Sequence, residues 1–128
     1  MNTPNKSEFL EAVQSLAESV YNFHHRWNLI KKSKSPFESI LERKNLLQEE
    51  IHELNQECLK LTSERSPKLL SEEAADVLYV AIGHLFVLNK TGILAAKTVS
   101  EKNNNKTTKT HYLDATTKKV TRKKELNI

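Results

Sequence analysis

The stretch that decides the fold is residues 35–61, which read SPFESILERKNLLQEEIHELNQECLKL. Ser35 is a suitable N-cap, Pro36 occupies the first helical position, and Glu38 completes a capping box, so the stretch predicts a helix start. Apolar residues then recur every three or four positions along one side. We therefore expect a long amphipathic helix from Pro36 to about Leu61.

The same periodicity predicts three further helices on either side of this stretch. The first covers residues 7–27, the third begins at Ser71 and ends at Gly92, and the fourth covers residues 93–102. The connections, at residues 28–34 and 62–70, lack helical periodicity, and the second of them contains a proline.

Composition agrees with a helical protein. The chain has 128 residues, of which 38% are hydrophobic and 28% charged, and only two are glycine, which disfavours an all-β domain with many tight turns. This length suits one hydrophobic core rather than two. The sequence therefore predicts an all-α domain over residues 1–106, followed by a loosely structured, polar and basic tail over residues 107–128.

Charge is distributed unevenly along the chain. The formal net charge is +4, but residues 102–128 carry eight Lys or Arg against Asp114 and Glu125, so the rest of the chain is mildly acidic. A general nucleic-acid binder would have its positive charge along one face of the fold. Nucleic acid is therefore not expected as a partner.

Two features predict the compartment. The N-terminus shows no basic leader followed by an apolar stretch, and no run of about 18 apolar residues occurs. Cys58 is the single cysteine, which excludes a disulfide within one chain and fits a reducing environment. We expect a cytoplasmic protein without membrane association, and we expect Cys58 to lie in the core.

Carboxylates occur in pairs on two of the predicted helices. Glu50 and Glu53 are three residues apart beside the apolar stripe of the second helix, and Glu73 and Asp76 have the same arrangement on the third. If the two stripes pack together, the four side chains converge at one edge of the interface, with Glu49 beside them. The alternative is that they are ordinary surface charges.

A cluster of ionised carboxylates is unstable without protons or cations. A divalent metal resolves the repulsion, and oxygen ligands without histidine or cysteine favour a hard ion. Mg²⁺ is the predicted cofactor, with Mn²⁺ as a possible substitute. Because Mg²⁺ keeps several waters and binds phosphate oxygens, a phosphate-containing substrate is expected.

These motifs carry a family resemblance. Residues 49–53, EEIHE, are followed after 19 residues by residues 73–76, EAAD. This pattern resembles the EExxE and ExxD motifs of the MazG-like all-α NTP pyrophosphatase superfamily, which includes phosphoribosyl-ATP pyrophosphohydrolase and the dimeric dUTPases. Residues 43–48, residues 75–80 and the Phe23-His24 pair also resemble family sequences.

The resemblance implies a fold, a reaction and a set of roles. The fold would be a four-helix MazG-like bundle completed by oligomerisation, as a homodimer or homotetramer. The reaction would be Mg²⁺-dependent cleavage of nucleoside triphosphates between the α and β phosphates, giving a monophosphate and pyrophosphate, in nucleotide-pool house-cleaning. The implied metal ligands are Glu50, Glu53, Glu73 and Asp76. Glu49 would be the general base or a further ligand.

The resemblance also suggests substrate contacts. Asn103 and Lys106 match an asparagine followed three residues later by a basic residue, and His24 is a candidate for the nucleotide pocket. Trp27 could stack on a base or pack in the core.

Two alternatives remain open from the sequence. One is phosphoribosyl-ATP hydrolysis by the same site. The other is a non-enzymatic helical dimer whose basic tail binds nucleic acid. A titration with Mg²⁺ separates the enzyme from the dimer, because a protein with a metal site is stabilised by the ion.

Overall fold

The computed structural model describes residues 3–30 and 34–124. Most of them are helical, as the sequence predicts. The helices are α1 (Lys6–Arg26), α2 (Pro36–Cys58), α3 (Pro67–Val87) and α4 (Asn89–Asn104), with one turn of 3-10 helix at Thr62–Glu64. Strands β1 (His111–Leu113) and β2 (Val120–Arg122) were not predicted. Parts of the predicted connection at residues 28–34 and of the tail lie outside the described residues.

The helices α2 and α3 begin with the same motif. The side chain of Ser35 accepts a hydrogen bond from the Glu38 amide at 3.2 Å, with Pro36 following as predicted. Ser66 caps α3 in the same way, accepting from Leu69 N–H at 3.3 Å, and Pro67 follows. The prediction that α3 starts at Ser71 is therefore wrong. A proline at the first helical position lacks only an N–H that the helix leaves unpaired there, so Pro67 opens the helix.

The boundary between α3 and α4 also differs from the prediction. The helix α3 ends at Val87, and Asn89 adopts a left-handed conformation with φ of 60°. Gly92 lies within α4, where a Cβ atom would collide with the carbonyl oxygen of Leu85. Its missing side chain therefore permits a close backbone approach, and it does not end a helix.

The chain divides into two compact units, Met1–Gly92 and Ile93–Ile128. In the first unit, α2 packs along α3, and α1 packs against α3. The residue pairs show that α2 and α3 are antiparallel, because Arg43 contacts Val80 and His84 while Glu50 lies beside Glu73. The predicted boundary, after residue 106, falls inside the second unit.

Aromatic and polar contacts join α1 to α3. Tyr21 meets Phe86 edge to face at a centroid distance of 5.5 Å, and Phe23 meets Tyr79 at 6.1 Å. The Tyr79 hydroxyl also lies 3.1 Å from the Ser19 hydroxyl. These contacts fix the face of α1 that faces α3.

The second unit contains an ordered hairpin where a loose tail was predicted. Strands β1 and β2 are antiparallel, with Tyr112 opposite Thr121. The turn between them is held by Asp114, whose carboxylate accepts from the amides of Thr116 at 2.8 Å and Thr117 at 3.0 Å. An aspartate turn of this kind reverses the chain within a few residues. It therefore leaves no periodic pattern of apolar residues in the sequence.

Two side chains that could have been core residues are exposed. Cys58, predicted to be buried, is exposed at the end of α2. Trp27 follows the last residue of α1 and is 62% exposed, so the core alternative is wrong within this chain. No helix among the described residues is long and apolar enough to span a membrane.

Candidate metal centre

Three of the predicted ligands come together between α2 and α3. One carboxylate oxygen each from Glu50, Glu73 and Asp76 lies within 4.8 Å of the other two. Glu50 projects from α2, while Glu73 and Asp76 are one helical turn apart on α3. The cluster therefore depends on the antiparallel packing of α2 against α3.

Two oxygens of the cluster are buried without a hydrogen-bond partner. They are Oε2 of Glu50 and Oε2 of Glu73, both on half-buried side chains. A buried polar atom without a partner is costly, and native proteins contain few of them. Both atoms lie in the same carboxylate cluster, so one bound cation would give both oxygens a partner.

Electrostatics around the cluster favour protonation or a cation. Burial, followed by the charges of Glu53 and Asp76, raises the pKa of Glu50 above its ordinary value. Burial and the charge of Glu53 raise the pKa of Glu73 in the same direction. A raised carboxyl pKa means that the negative form is disfavoured where it stands. A divalent cation would remove that penalty.

The other two predicted acidic residues take different positions. Glu53 is half-buried and close enough to raise the pKa of both Glu50 and Glu73, but it is not within the group of three. Glu49 is exposed on α2 and is also outside that group. The structure thus brings together three of the five predicted residues, with Glu53 alongside.

His24 does not offer a nitrogen to solvent. Its side chain is 2% exposed, Nδ1 donates to the Val20 carbonyl at 2.8 Å, and Nε2 lies 3.3 Å from Nη1 of Arg43. Because a guanidinium can only donate, Nε2 must be the acceptor and the ring is neutral. His24 therefore lies in a junction between helices, whereas the sequence predicted that it lines a nucleotide pocket.

Arg43 is the centre of that junction, and sequence reasoning assigned it no function of its own. From α2 it donates to His84 at 3.3 Å and to the Val80 carbonyl at 3.3 Å, both on α3, in addition to His24 on α1. It lies seven residues before Glu50, so a search along the same face of α2 could have found it. Arg43 therefore connects all three long helices of the first unit.

Gly83 makes room for this arginine. A Cβ atom at this position would collide with Nη2 of Arg43 and lie 3.0 Å from Cε1 of His24. We expect Gly83→Ala to destabilise the protein by about 1–3 kcal/mol through overpacking, although alanine is the better helix former by about 1 kcal/mol. Urea unfolding measures the change. Ser15→Ala, on an exposed part of α1, is the control and should be nearly neutral; equal effects would contradict the junction.

The junction also predicts a pH dependence. Burial and then nearby charge, chiefly that of Arg43, lower the pKa of His24 and His84 below the ordinary value of about 6.5. The unfolded chain therefore takes up these protons first, so this part of the stability is present above about pH 6.5 and is lost as the pH falls.

Urea midpoints between pH 7.5 and pH 5.5 test this prediction, and the midpoint should fall with pH. The carboxylate cluster titrates in the opposite sense because its pKa values are raised. The series is therefore repeated in a Glu50→Gln/Glu73→Gln background, where the fall should be steeper. A flat profile in that background would show that the histidines do not carry the effect.

The two remaining predicted substrate contacts lie in the second unit. The side-chain amide of Asn103 donates to the Val99 carbonyl at 2.9 Å, and its oxygen accepts from the Lys106 ammonium at 3.2 Å. The predicted asparagine and lysine thus form a pair at the end of α4. Their contact with substrate stays a prediction.

Comparison with known proteins adds no relative to this description. No family model matches the sequence, and no match emerges from the curated proteins or from the solved structures. The resemblance to the MazG-like superfamily therefore stays a prediction from the residues of the two acidic motifs.

Proposed function

We propose that this protein is a cytoplasmic, Mg²⁺-dependent nucleotide pyrophosphohydrolase that cleaves nucleoside triphosphates between the α and β phosphates. The observation that supports it most is the group of Glu50, Glu73 and Asp76, with ligand oxygens within 4.8 Å of one another. Two carboxylate oxygens of this group, one on Glu50 and one on Glu73, are buried without a hydrogen-bond partner. The sequence motifs on which these residues lie are those of enzymes with this reaction.

The residues present fit Mg²⁺. All donors are carboxylate oxygens, which are hard ligands, and among the described residues the group of three includes no histidine or cysteine. Glu50, Glu73 and Asp76 would hold the ion, with Glu53 close enough to be a further ligand. When bound, Mg²⁺ supplies positive charge to the phosphates and acidifies coordinated water.

The chain's own residues then account for the rest of the reaction. Water adds to the α phosphorus, the bond to the bridging oxygen breaks, and pyrophosphate leaves with that oxygen. The attacking water loses a proton, and the exposed carboxylate of Glu49, next to Glu50 on α2, is the proposed acceptor. This role rests on the family pattern.

A partner subunit is part of the proposal. Among the described residues, Val20 is the one apolar side chain that is buried, while many large apolar side chains are exposed. A unit of this length normally buries more apolar surface, and exposed apolar patches mark interfaces. We expect a homodimer or homotetramer in light scattering after size exclusion, and a monodisperse monomer would contradict this expectation.

The test of the function is a substrate screen. Canonical and modified NTPs and dNTPs, together with phosphoribosyl-ATP, are incubated with the protein and Mg²⁺, and both products are identified. The proposal predicts equal amounts of monophosphate and pyrophosphate. Release of inorganic phosphate with a diphosphate product would place cleavage at a different bond, and no hydrolysis of any substrate would refute the proposal.

A further inference from the structure

A pocket opens beside Arg43 in the first unit, away from the carboxylates. Its volume is about 210 Å³, and its walls include the apolar side chains of Leu29, Leu46, Phe86 and Val87. Pockets for drug-sized molecules usually measure about 300–1,000 Å³. This one is therefore the size for a flat ring system and too small for a whole nucleotide.

Polar side chains also line the pocket, between these apolar walls. Arg43, Ser39 and Asn89 line the pocket, together with Lys34 and Glu42, which form an ion pair with each other. Apolar walls with a small number of hydrogen-bonding groups are typical of sites that bind a flat heterocycle and read its edge.

Arg43 is held in place but retains unused donors. The guanidinium has five N–H groups, of which three point to His24, His84 and the Val80 carbonyl. All three partners are neutral, and no carboxylate pairs with Arg43 among the described residues. Two N–H groups of this partly buried guanidinium therefore have no hydrogen-bond partner among the described residues, and Arg43 lines the pocket.

The pocket is aligned with the carboxylate cluster. Arg43 and Glu50 are seven residues apart on α2, which places them on one face of the helix and about 10 Å apart along its axis. Both face α3, since Arg43 contacts Val80 and Glu50 lies beside Glu73. An extended nucleotide can span this separation, with its phosphates at the carboxylates and its base at the pocket.

We propose that the pocket beside Arg43 binds the nucleobase and selects purines with a carbonyl oxygen at position 6 over purines with an amino group there. A guanidinium offers only donors, so it pairs with the two acceptors O6 and N7 of a purine such as hypoxanthine or guanine. The exocyclic amino group of adenine would instead oppose a donor with a donor. The proposal rests on the proposed function for the direction of the substrate.

The first experiment uses two nucleosides that differ only at position 6 of the purine. Inosine carries an oxygen there and adenosine an amino group, and neither has a phosphate, so the carboxylate cluster is not needed. NMR titration of the metal-free protein should show inosine binding about ten-fold more tightly. Methyl signals of Leu46 and Val87 should shift. Equal affinity, tighter binding of adenosine, or no binding would overturn the proposal.

A pair of variants locates the binding. Leu46 lines the pocket and is 46% exposed, so Leu46→Trp should fill the pocket while the protein still folds. Leu41 lies on the same helix, is 68% exposed and does not line the pocket, so Leu41→Trp is the matched control. We expect inosine affinity to fall about ten-fold or more in the first variant only. Unchanged affinity in Leu46→Trp would place the base elsewhere.

Hydrolysis assays separate this proposal from the proposed function. With inosine triphosphate as substrate, Leu46→Trp should raise KM about ten-fold, and Leu41→Trp should leave KM unchanged. If the protein binds inosine but hydrolyses no nucleoside triphosphate, the proposed function is refuted and the pocket proposal is unaffected. If the rate of hydrolysis depends neither on Leu46→Trp nor on the base, the pocket proposal is refuted and the proposed function is unaffected.

Discussion

Replacement of Glu50 with glutamine is expected to reduce Mg²⁺-dependent pyrophosphate release by about 10³-fold or more. The amide keeps the shape of the side chain but removes one negative charge from the group that would hold the ion. Loss of a principal electrostatic stabiliser of a transition state commonly costs about 10²–10³-fold in kcat, and a direct metal ligand should cost at least as much. Steady-state rates on the best substrate of the screen measure the effect.

Two companion variants make this result specific. Glu72 is exposed on α3 beside Glu73 but outside the cluster, so Glu72→Gln should retain full activity. Glu49→Gln should lower kcat without changing the Mg²⁺ concentration at half-maximal rate, because Glu49 is proposed to accept a proton. If Glu50→Gln is as active as Glu72→Gln, the cluster does not take part in the reaction.

The second large effect concerns stability, and it has opposite signs without and with metal. The pKa of Glu73 is raised by burial and by Glu53, so its favourable contribution exists at low pH and is lost as the pH rises through the raised pKa. Above that raised pKa the metal-free cluster is ionised and repulsive. Glu73→Gln should therefore melt at a higher temperature than the unaltered protein when metal is absent.

Mg²⁺ should reverse that order. For a site of millimolar affinity, 10 mM Mg²⁺ raises Tm by about 5 °C through mass action. We expect this rise in the unaltered protein and in Glu72→Gln, and a rise of less than about 1 °C in Glu73→Gln. Thermal melts at pH 7.5 with and without Mg²⁺ provide the comparison. If Glu73→Gln lowers Tm without metal and still responds to Mg²⁺, the cluster is a structural feature and not a metal site.

Local signals predicted the long helices and the acidic cluster well. The capping residues Ser35 and Pro36 fix the start of α2, and a period of three to four residues places Glu50 beside the helix interface. Because that interface joins two neighbouring helices, the opposition of Glu50 to Glu73 and Asp76 follows from one packing assumption. Short-range rules were sufficient for this part of the site.

Other features depend on contacts that cannot be predicted from the periodicity of apolar residues. The start of α3 at Pro67 was within reach, since Ser66 and Pro67 repeat the motif that opens α2. Gly92, in contrast, was taken for a helix end because glycine is common there, whereas its role is a close approach to the Leu85 carbonyl. The hairpin turn at Asp114 has only three residues in each flanking strand, too few for a pattern.

The junction at Arg43 is the clearest case of a feature that could not be predicted from the sequence. Its three partners lie 19 to 41 residues away along the chain. A lone arginine on a helix is usually a solvated charge. His24 was a candidate for the nucleotide pocket because the Phe23-His24 pair resembles family sequences, whereas in the structure it is buried and accepts a hydrogen bond from Arg43. Only the packing of α1 and α3 around α2 reveals that the histidine is buried and the arginine is held in place.

The central claim is that Glu50, Glu73 and Asp76 form one divalent-metal site, and a Mn²⁺ titration followed by electron paramagnetic resonance tests it most directly. Mn²⁺ can replace Mg²⁺ at oxygen ligands, and its free-ion signal weakens on binding. We predict saturable loss of that signal with the unaltered protein and with Glu72→Gln, and none with Glu73→Gln at the same concentrations. Equal binding by Glu73→Gln and the unaltered protein, or no binding by either, would contradict it.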